Sequence, residues 1–467
     1  MMTLGEALAL IAPGAKSLGD SADVRFTAVG TDSRAIAPGQ LFVALRGERF
    51  DGHDFVEAAL SAGAAAAMVD ARWEQGHPES RLPRLVVDDT RLALGALAAG
   101  WRGRFNLPLI GITGSNGKTS VKEMCASILR AQFGNEEAVL ATKGNFNNDI
   151  GLPLTLLGLR ARHQAAVIEM GMNHPGEIAY LTRLARPTVA LVNNAQRAHL
   201  EGMGSLNEVA LEKGRIYEGL GEGGIAIVNA DDAHAEQWAA ENARAGRKVI
   251  RFGLTSAAEV QGRCELRESG SKLWLKTPWG QAECELQMPG LHNAANALAA
   301  ASACLSAGAP LAAVTAGLSA CAGARGRLQR RVGPRGALIL DDTYNANPDS
   351  VRAGIDVLVR MTGRKVLVFG DMGEVGETSA QAHAEMGLYA KSKGVDSLCT
   401  LGNMSENAVR NFGHDGQHFA SVEALVAALE PKLADGVTVL VKGSRFMRME
   451  RVVEALMARA VPYPEKR

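Results

Sequence analysis

Short aliphatic runs, most of them closed by Gly, Asn or Asp and followed by a stretch of helical period, recur from residue 107 onward. LPLIGIT (107–113) is followed by SVKEMCASILRAQF, and QAAVIEMG (164–171) by a helical pattern near 175–185. TVALVNNA (188–195) and GIAIVNAD (224–231) continue the series. After an Ala-rich stretch gives way to RGRLQRR at 325–331, the rhythm restarts: ALILDDT (337–343), a helix near 348–361, KVLVFGD (365–371), a helix near 379–392 and VTVLVKGS (437–444). Runs apolar on both faces, alternating with helices, predict parallel sheets covered by helices. The fold class is therefore α/β.

The chain has 467 residues, enough for about three domains. The stretch to Val87 mixes short runs such as QLFVALRG with a helical pattern at 54–63 and a closing strand at 83–87. It is predicted as a small α/β domain, 1–87. DDTRLALGALAAGW reads as a helix opening a central domain, 88–325, with a smaller doubly wound domain at 326–467.

Composition narrows the function classes. Lys plus Arg and Asp plus Glu are each 50, so no chain-wide basic field marks a nucleic-acid or membrane-surface protein. The six cysteines form no CxxC pair, which argues against a zinc ribbon or a thioredoxin-type centre and suits a reducing, cytoplasmic setting. The N-terminal segment MMTLGEALALIAPGAKSL carries Glu6 and no basic start, and reads as an amphipathic helix, not a secretion signal. Residues 286–324 lack charge over a length that would span a bilayer. Pro310, His292, Asn293 and Asn296 interrupt that stretch, so two buried helices near 292–307 and 311–321 are predicted instead.

The sharpest local signal lies between a predicted strand and helix: Gly111-Ile-Thr113-Gly114-Ser115-Asn116-Gly117-Lys118-Thr119. Such a turn aims backbone N–H groups and a helix N-terminus at phosphates. Lys118 is placed to reach the terminal phosphates and Thr119 to ligate Mg²⁺. The general pattern has a glycine where Ile112 stands; here the loop glycine is Gly114. Glu169 ends the next strand run, at the edge where α/β sheets carry functional groups, and could hold the magnesium opposite Thr119. His199 follows a third strand run. Alone it would read as structural, and Lys213 alone as an exposed helix lysine. Two Asn-rich segments, Thr142-Lys-Gly-Asn145-Phe-Asn147-Asn148-Asp149 and Asp341-Asp342-Thr-Tyr344-Asn345-Ala-Asn347-Pro348, suit either turns or a polar ligand site.

In order along nearly the whole chain stand TDSR (31–34), GITGSNGKT, TKGNFNNDIGLP, EMGMNHPGEI, AHLEGMGS, GLHNAANALAA, GRLQ (326–329), DDTYNANPDS, GDMGEVGE (370–377) and LVKGSR (440–445). Together they resemble the Mur ligase family, whose phosphate loop also lacks the early glycine. The resemblance implies three domains: one for a UDP-sugar peptide, a central P-loop ATPase, and a C-terminal Rossmann-like domain for the incoming amine. It implies ATP-driven amide formation through an acyl phosphate, with two Mg²⁺ ions. By residue, it implies nucleotide contacts at Thr113, Gly114, Ser115, Asn116, Gly117, Lys118, Thr119, Asn293, Asn296, Arg327 and Asp342. Catalytic or metal positions are implied at Lys118, Thr119, Glu169, His199 and Lys213, the last as a CO₂-carbamylated lysine. Ser33 and Arg34 match the UDP-sugar region, and Asn145, Asn147 and Asn148 are substrate candidates.

Within the family the forms DDTYNANPDS and GDMGEVGE, and the absence of a DNPR motif, point away from the diaminopimelate-adding branch. They point to the branch that joins D-alanyl-D-alanine to UDP-N-acetylmuramoyl-tripeptide, with Asn345 and Asn347 as candidate dipeptide contacts. A monomer that closes its domains around these substrates is expected. A folylpolyglutamate-type ligase leaves the TDSR-bearing domain without a role. A P-loop ATPase that ligates nothing leaves the Asn-rich turn unexplained. A dinucleotide oxidoreductase lacks its GxGxxG after a strand.

Overall fold

The structure, a computed structural model, describes residues 1–11, 13–19 and 22–459. Residues 460–467 of the 326–467 expectation and residues 12, 20 and 21 of the 1–87 expectation lie outside the described residues. Three main sheets follow one another along the chain, with a two-stranded ribbon, Met2–Thr3 with Arg25–Phe26, beside the first. The expected N-terminal helix is only Leu4–Leu8, opened by a capping box between Thr3 and Glu6.

The first sheet runs Lys16–Leu18, Arg84–Val87, Ala66–Asp70, Gln40–Val43, Ala28–Gly30, and only its first pairing is antiparallel. Helix Thr90–Arg102 leaves it, capped by Asp89, and packs on helices Gly151–Leu156 and Glu177–Ala185 of the next unit.

The central sheet has nine strands. From Val139–Ala141 through Ala165–Glu169, Leu109–Thr113, Val189–Val192, Ile225–Asn229, Lys248–Gly253 and Val260–Arg267 every pairing is parallel. The strands expected from the sequence stand here, two to four residues shorter. An antiparallel ribbon, Val260–Arg267, Gly270–Thr277 and Gly280–Leu286, finishes the sheet and was not foreseen. Helix Lys118–Phe133 buries Val121, Met124, Cys125, Ile128 and Leu129, an i, i+3, i+4 stripe against the sheet. Each such fully buried aliphatic contributes about 1.5–3 kcal/mol.

The uncharged stretch forms two soluble helices, Leu291–Ser306 and Leu311–Ala320, with Pro310 just ahead of the second. Their small residues serve close packing. A Cβ on Gly317 would stand 2.4 Å from the Ile128 Cα, so the two helices meet backbone to backbone, where Ser127 donates to the Gly317 carbonyl at 2.7 Å. No helix among the described residues is long and apolar enough to cross a membrane.

The third sheet runs Gln329–Val332, Leu338–Asp342, Val437–Lys442, Arg364–Gly370, Ser397–Leu401, Gly416–Phe419, with only the first pairing antiparallel. Its helices Pro348–Leu358 and Ser379–Ser392 match the expected positions.

Candidate active site

The turn at 114–117 owes its shape to the two strands beside it. Thr113, fully buried, ends its strand and donates to the Met170 carbonyl at 2.9 Å. Asn194 accepts the Asn116 N–H at 2.8 Å, and Asn193 donates to the Asn116 carbonyl at 2.9 Å. Gly117 has φ +81°, and a Cβ there would stand 2.3 Å from Asn296 Oδ1. Only glycine meets both conditions. Lys118 then opens the helix and folds its ammonium back onto the Gly114 carbonyl at 2.6 Å. Burial pushes its pKa down, and Glu169 opposes the shift.

Glu169 is buried at the carboxyl end of its strand and accepts from both sides: Thr119 Oγ1 at 3.0 Å and Asn147 Nδ2 at 2.8 Å. Its own N–H donates to Thr142 Oγ1 at 3.0 Å. The hydroxyl and the carboxylate expected to share a magnesium ion are thus in contact before any cation is considered. Oxygen donors of this kind suit a hard cation that keeps waters and phosphate oxygens as its remaining ligands. Among the described residues no group of three or more His, Cys, Asp or Glu side chains forms a protein-only metal cage.

Lys213 lies in helix Leu206–Gly214 and is 1% exposed, not an exposed helix lysine. Burial first, and then the nearby Lys118 charge, lower its pKa well below the ordinary lysine value. Its surroundings therefore disfavour the charged form. His199 has φ +59° and its Nδ1 lies 2.6 Å from Glu374 Oε2. Burial lowers its pKa, partly offset by the Glu374 contact.

One cavity of about 1960 Å³ gathers most of these groups. Ser115, Asn116, Gly117, Lys118, Thr119, Glu169 and His199 line it from the central sheet, with Asn145, Asn147 and Asn148 beside them. Asn293 and Asn296 reach it from the start of the Ala-rich helix. Asp342, Asn345 and Asn347 line it from the third sheet, and Arg327 from the connection between the sheets. Thr113 and Lys213 are buried, and neither they nor Gly114 line it. Ser33 and Arg34 do not line it: they sit in the turn after strand Ala28–Gly30, where the exposed Arg34 is paired with Asp32 at 2.8 Å. From the first unit Glu48 reaches the cavity.

Two sheets meet across the cavity through polar contacts. Asn116 and Asn347 exchange amide hydrogen bonds at 3.2 and 2.8 Å. Arg327 donates to Thr119 Oγ1 at 3.3 Å and stacks on Tyr344, 4.3 Å from its ring centre. Arg197 grips Asp349 at 2.7 Å and touches Glu385 at 3.3 Å.

Family comparison agrees with this arrangement. The Mur ligase middle domain matches residues 112–304, the Mur ligase glutamate ligase domain residues 326–445, and the Mur ligase family catalytic domain residues 25–102. The chain belongs to the Mur ligase family. It is similar to the UDP-N-acetylmuramoyl-tripeptide--D-alanyl-D-alanine ligase of Escherichia coli, 46% identical over 93% of this chain and 94% of that one. Among solved structures it is similar to MurF from Acinetobacter baumannii, with TM-score 0.84 and 36% identity over 92% of this chain and 93% of that one. It is also similar to MurF ligase from Thermotoga maritima in complex with ADP, with TM-score 0.80 and 27% identity over 93% and 98%.

Several residues of this Mur ligase's site escaped the sequence reading. Arg197, Asp349, Glu374 and Glu385 act across the gap between two sheets, and no local pattern announces such a meeting. Lys442 is buried and donates to Asp342 at 2.6 Å and to the Asn345 carbonyl at 3.0 Å, which orders the Asn-rich turn. His292 also lines the cavity, and burial lowers its pKa to about 4, so its ring is neutral. Its place inside GLHNAANALAA, directly before Asn293, was the available signal.

Proposed function

We propose that this chain joins D-alanyl-D-alanine to UDP-N-acetylmuramoyl-tripeptide at the expense of ATP, forming the pentapeptide, ADP and phosphate in peptidoglycan precursor synthesis. The observation that carries the proposal is the single cavity bounded on one side by the phosphate loop and on the other by the Asn345–Asn347 turn. Its breadth suits three ligands at once, and the relatives named for this reaction align over nearly the full chain.

The tripeptide carboxylate attacks the γ-phosphorus of ATP, the bond to the β-phosphate oxygen breaks, and ADP leaves. The dipeptide amine then attacks the acyl carbon, and the tetrahedral adduct expels phosphate as the nitrogen gives up its proton. The obstacle in the first step is electrostatic, because a carboxylate must approach a triphosphate. Positioning and positive charge are what such a transfer requires of the protein. Lys118 supplies one charge: its ammonium now rests on loop carbonyls and would move to phosphate oxygens. The N–H groups of 114–119 supply further donors.

Thr119, Glu169 and His199 are the residues that would hold magnesium, which when bound neutralises phosphate charge. Lys213 fits carbamylation chemically. A neutral amine can attack CO₂, losing one proton to leave a carbamate anion, and burial shifts this amine toward its neutral form. That anion would offer oxygens to a second ion. Asn293, Asn296, Arg327 and Asp342 are proposed nucleotide contacts. Asn145, Asn147 and Asn148 are proposed for the tripeptide end, and Asn345 and Asn347 for the dipeptide. Ser33 and Arg34, outside the cavity, are proposed for the distal UDP-sugar part alone. The division at 87 and 325, a monomeric state and a cytoplasmic setting belong to the same proposal.

The test is phosphate release with ATP, Mg²⁺ and UDP-N-acetylmuramoyl-tripeptide, with and without D-alanyl-D-alanine. Release dependent on both, with a pentapeptide by mass, is expected. Release with a different amine would move the specificity, and release with neither substrate would replace ligation by plain ATP hydrolysis.

A further inference from the structure

The third unit touches one proposed metal ligand of the central unit, and it does so with a carboxylate. Glu374 Oε2 lies 2.6 Å from His199 Nδ1. Both residues are held at φ +59°, in the left-handed region that non-glycine side chains seldom occupy. Their segments also meet through the backbone, where Glu201 N–H donates to the Glu374 carbonyl at 3.4 Å.

The loop that presents Glu374 is tied down on its own side. Met372 N–H donates to His383 Nε2 at 2.8 Å, and Gly373 N–H donates to Ser444 Oγ at 2.7 Å. Ser444 in turn donates to the Ala346 carbonyl at 2.9 Å, within the Asn345–Asn347 turn. Hydrogen bonds thus tie the Glu374 loop to the proposed dipeptide turn, and the Glu374 carboxylate in turn lies 2.6 Å from the His199 ring.

We infer that Glu374 is a positioning residue that completes the metal site only when the third unit docks. Accepting the Nδ1 proton fixes the His199 tautomer and leaves the Nε2 lone pair for a cation, as a carboxylate beside a metal-ligating histidine does elsewhere. Docking of the unit that receives the amine is thereby coupled to assembly of the ion site on the unit that activates the carboxylate. The inference rests on the reading of His199 as a metal ligand.

The test uses the full chain with ADP and Mn²⁺, with free and bound Mn²⁺ followed by electron paramagnetic resonance. Glu374→Gln is expected to weaken Mn²⁺ binding about 10-fold or more, the usual effect of losing such a partner. ADP affinity measured without metal should not change. His199→Ala should weaken Mn²⁺ binding at least as much, and the double variant no further than His199→Ala. Wild-type Mn²⁺ affinity in Glu374→Gln, or losses that add in the double variant, would overturn the coupling. If His199→Ala itself binds Mn²⁺ normally, the ligand reading of His199 fails and the coupling with it.

Discussion

The two walls of the cavity are built differently. On the central wall the charged groups, half-buried Lys118 and buried Glu169, are tied within one sheet: Lys118 to its own loop carbonyls, Glu169 to Thr119 and Asn147. Across the gap, the third sheet is ordered internally by Lys442 and Asp342 but reaches the central wall through a few polar contacts. Side chains locked in one rigid sheet suit chemistry that must be preorganised. Polar contacts between units are individually weak and come apart at low cost, as expected where units must open to admit substrates. In the proposed function, chemistry falls to the wall tied within one sheet, and recognition of the amine to the wall joined to it by polar contacts.

That contrast can be broken most severely at Lys118. Lys118→Ala should cut ligation by about 10³-fold, because a preorganised phosphate contact is lost, with the circular dichroism spectrum unchanged. Near-normal turnover would remove the phosphate loop from the mechanism. Lys213→Ala should lower turnover about 10²-fold, the loss expected for one ligand's support, and a short carboxylic acid in the buffer should restore part of it. Full activity without added acid would dismiss the carbamate.

The docking wall should respond more gently. Asn347→Ala removes both the amide pair with Asn116 and the N-cap of helix Pro348–Leu358. About 1 kcal/mol of stability should go with the cap, or roughly 2–4 °C in a melting curve, together with a rise in KM for the dipeptide. An unchanged melting curve would show the cap to be dispensable. The smallest effect is expected at Arg197→Ala, where a partly exposed ion pair is worth roughly 0.2–1 kcal/mol. KM for the dipeptide should rise by less than about 5-fold, and raising salt should shrink the difference from the unaltered protein. A loss as large as that of Lys118→Ala would show that docking is not the gentle step the contacts suggest.

How far the sequence could be read followed how local each signal was. Strand Leu109–Thr113, the glycine turn and helix Lys118–Phe133 were legible because a continuous apolar run, a turn and a helical stripe are all written within about 25 residues. The ribbon at 260–286 was missed because its strands are half exposed: Leu273 and Leu275 alternate with Lys272, Trp274 and Lys276, and no continuous apolar run marks them. Lys213 was misjudged in isolation, since a helix lysine is usually solvated and only its neighbours bury it. Ser33 and Arg34 could be recognised as a motif, but their distance from the cavity could not.

By itself the sequence determined the βα order, the phosphate-binding turn and the family, because backbone conformation and apolar periodicity are properties of adjacent residues. Tertiary structure decided the rest. Glu374 stands against His199, Asn347 against Asn116 and Asp349 against Arg197 only because two separately folded sheets bring their carboxyl edges together. It also buried Lys213 and lowered its pKa, since desolvation is set by what surrounds a side chain and not by its place in the chain.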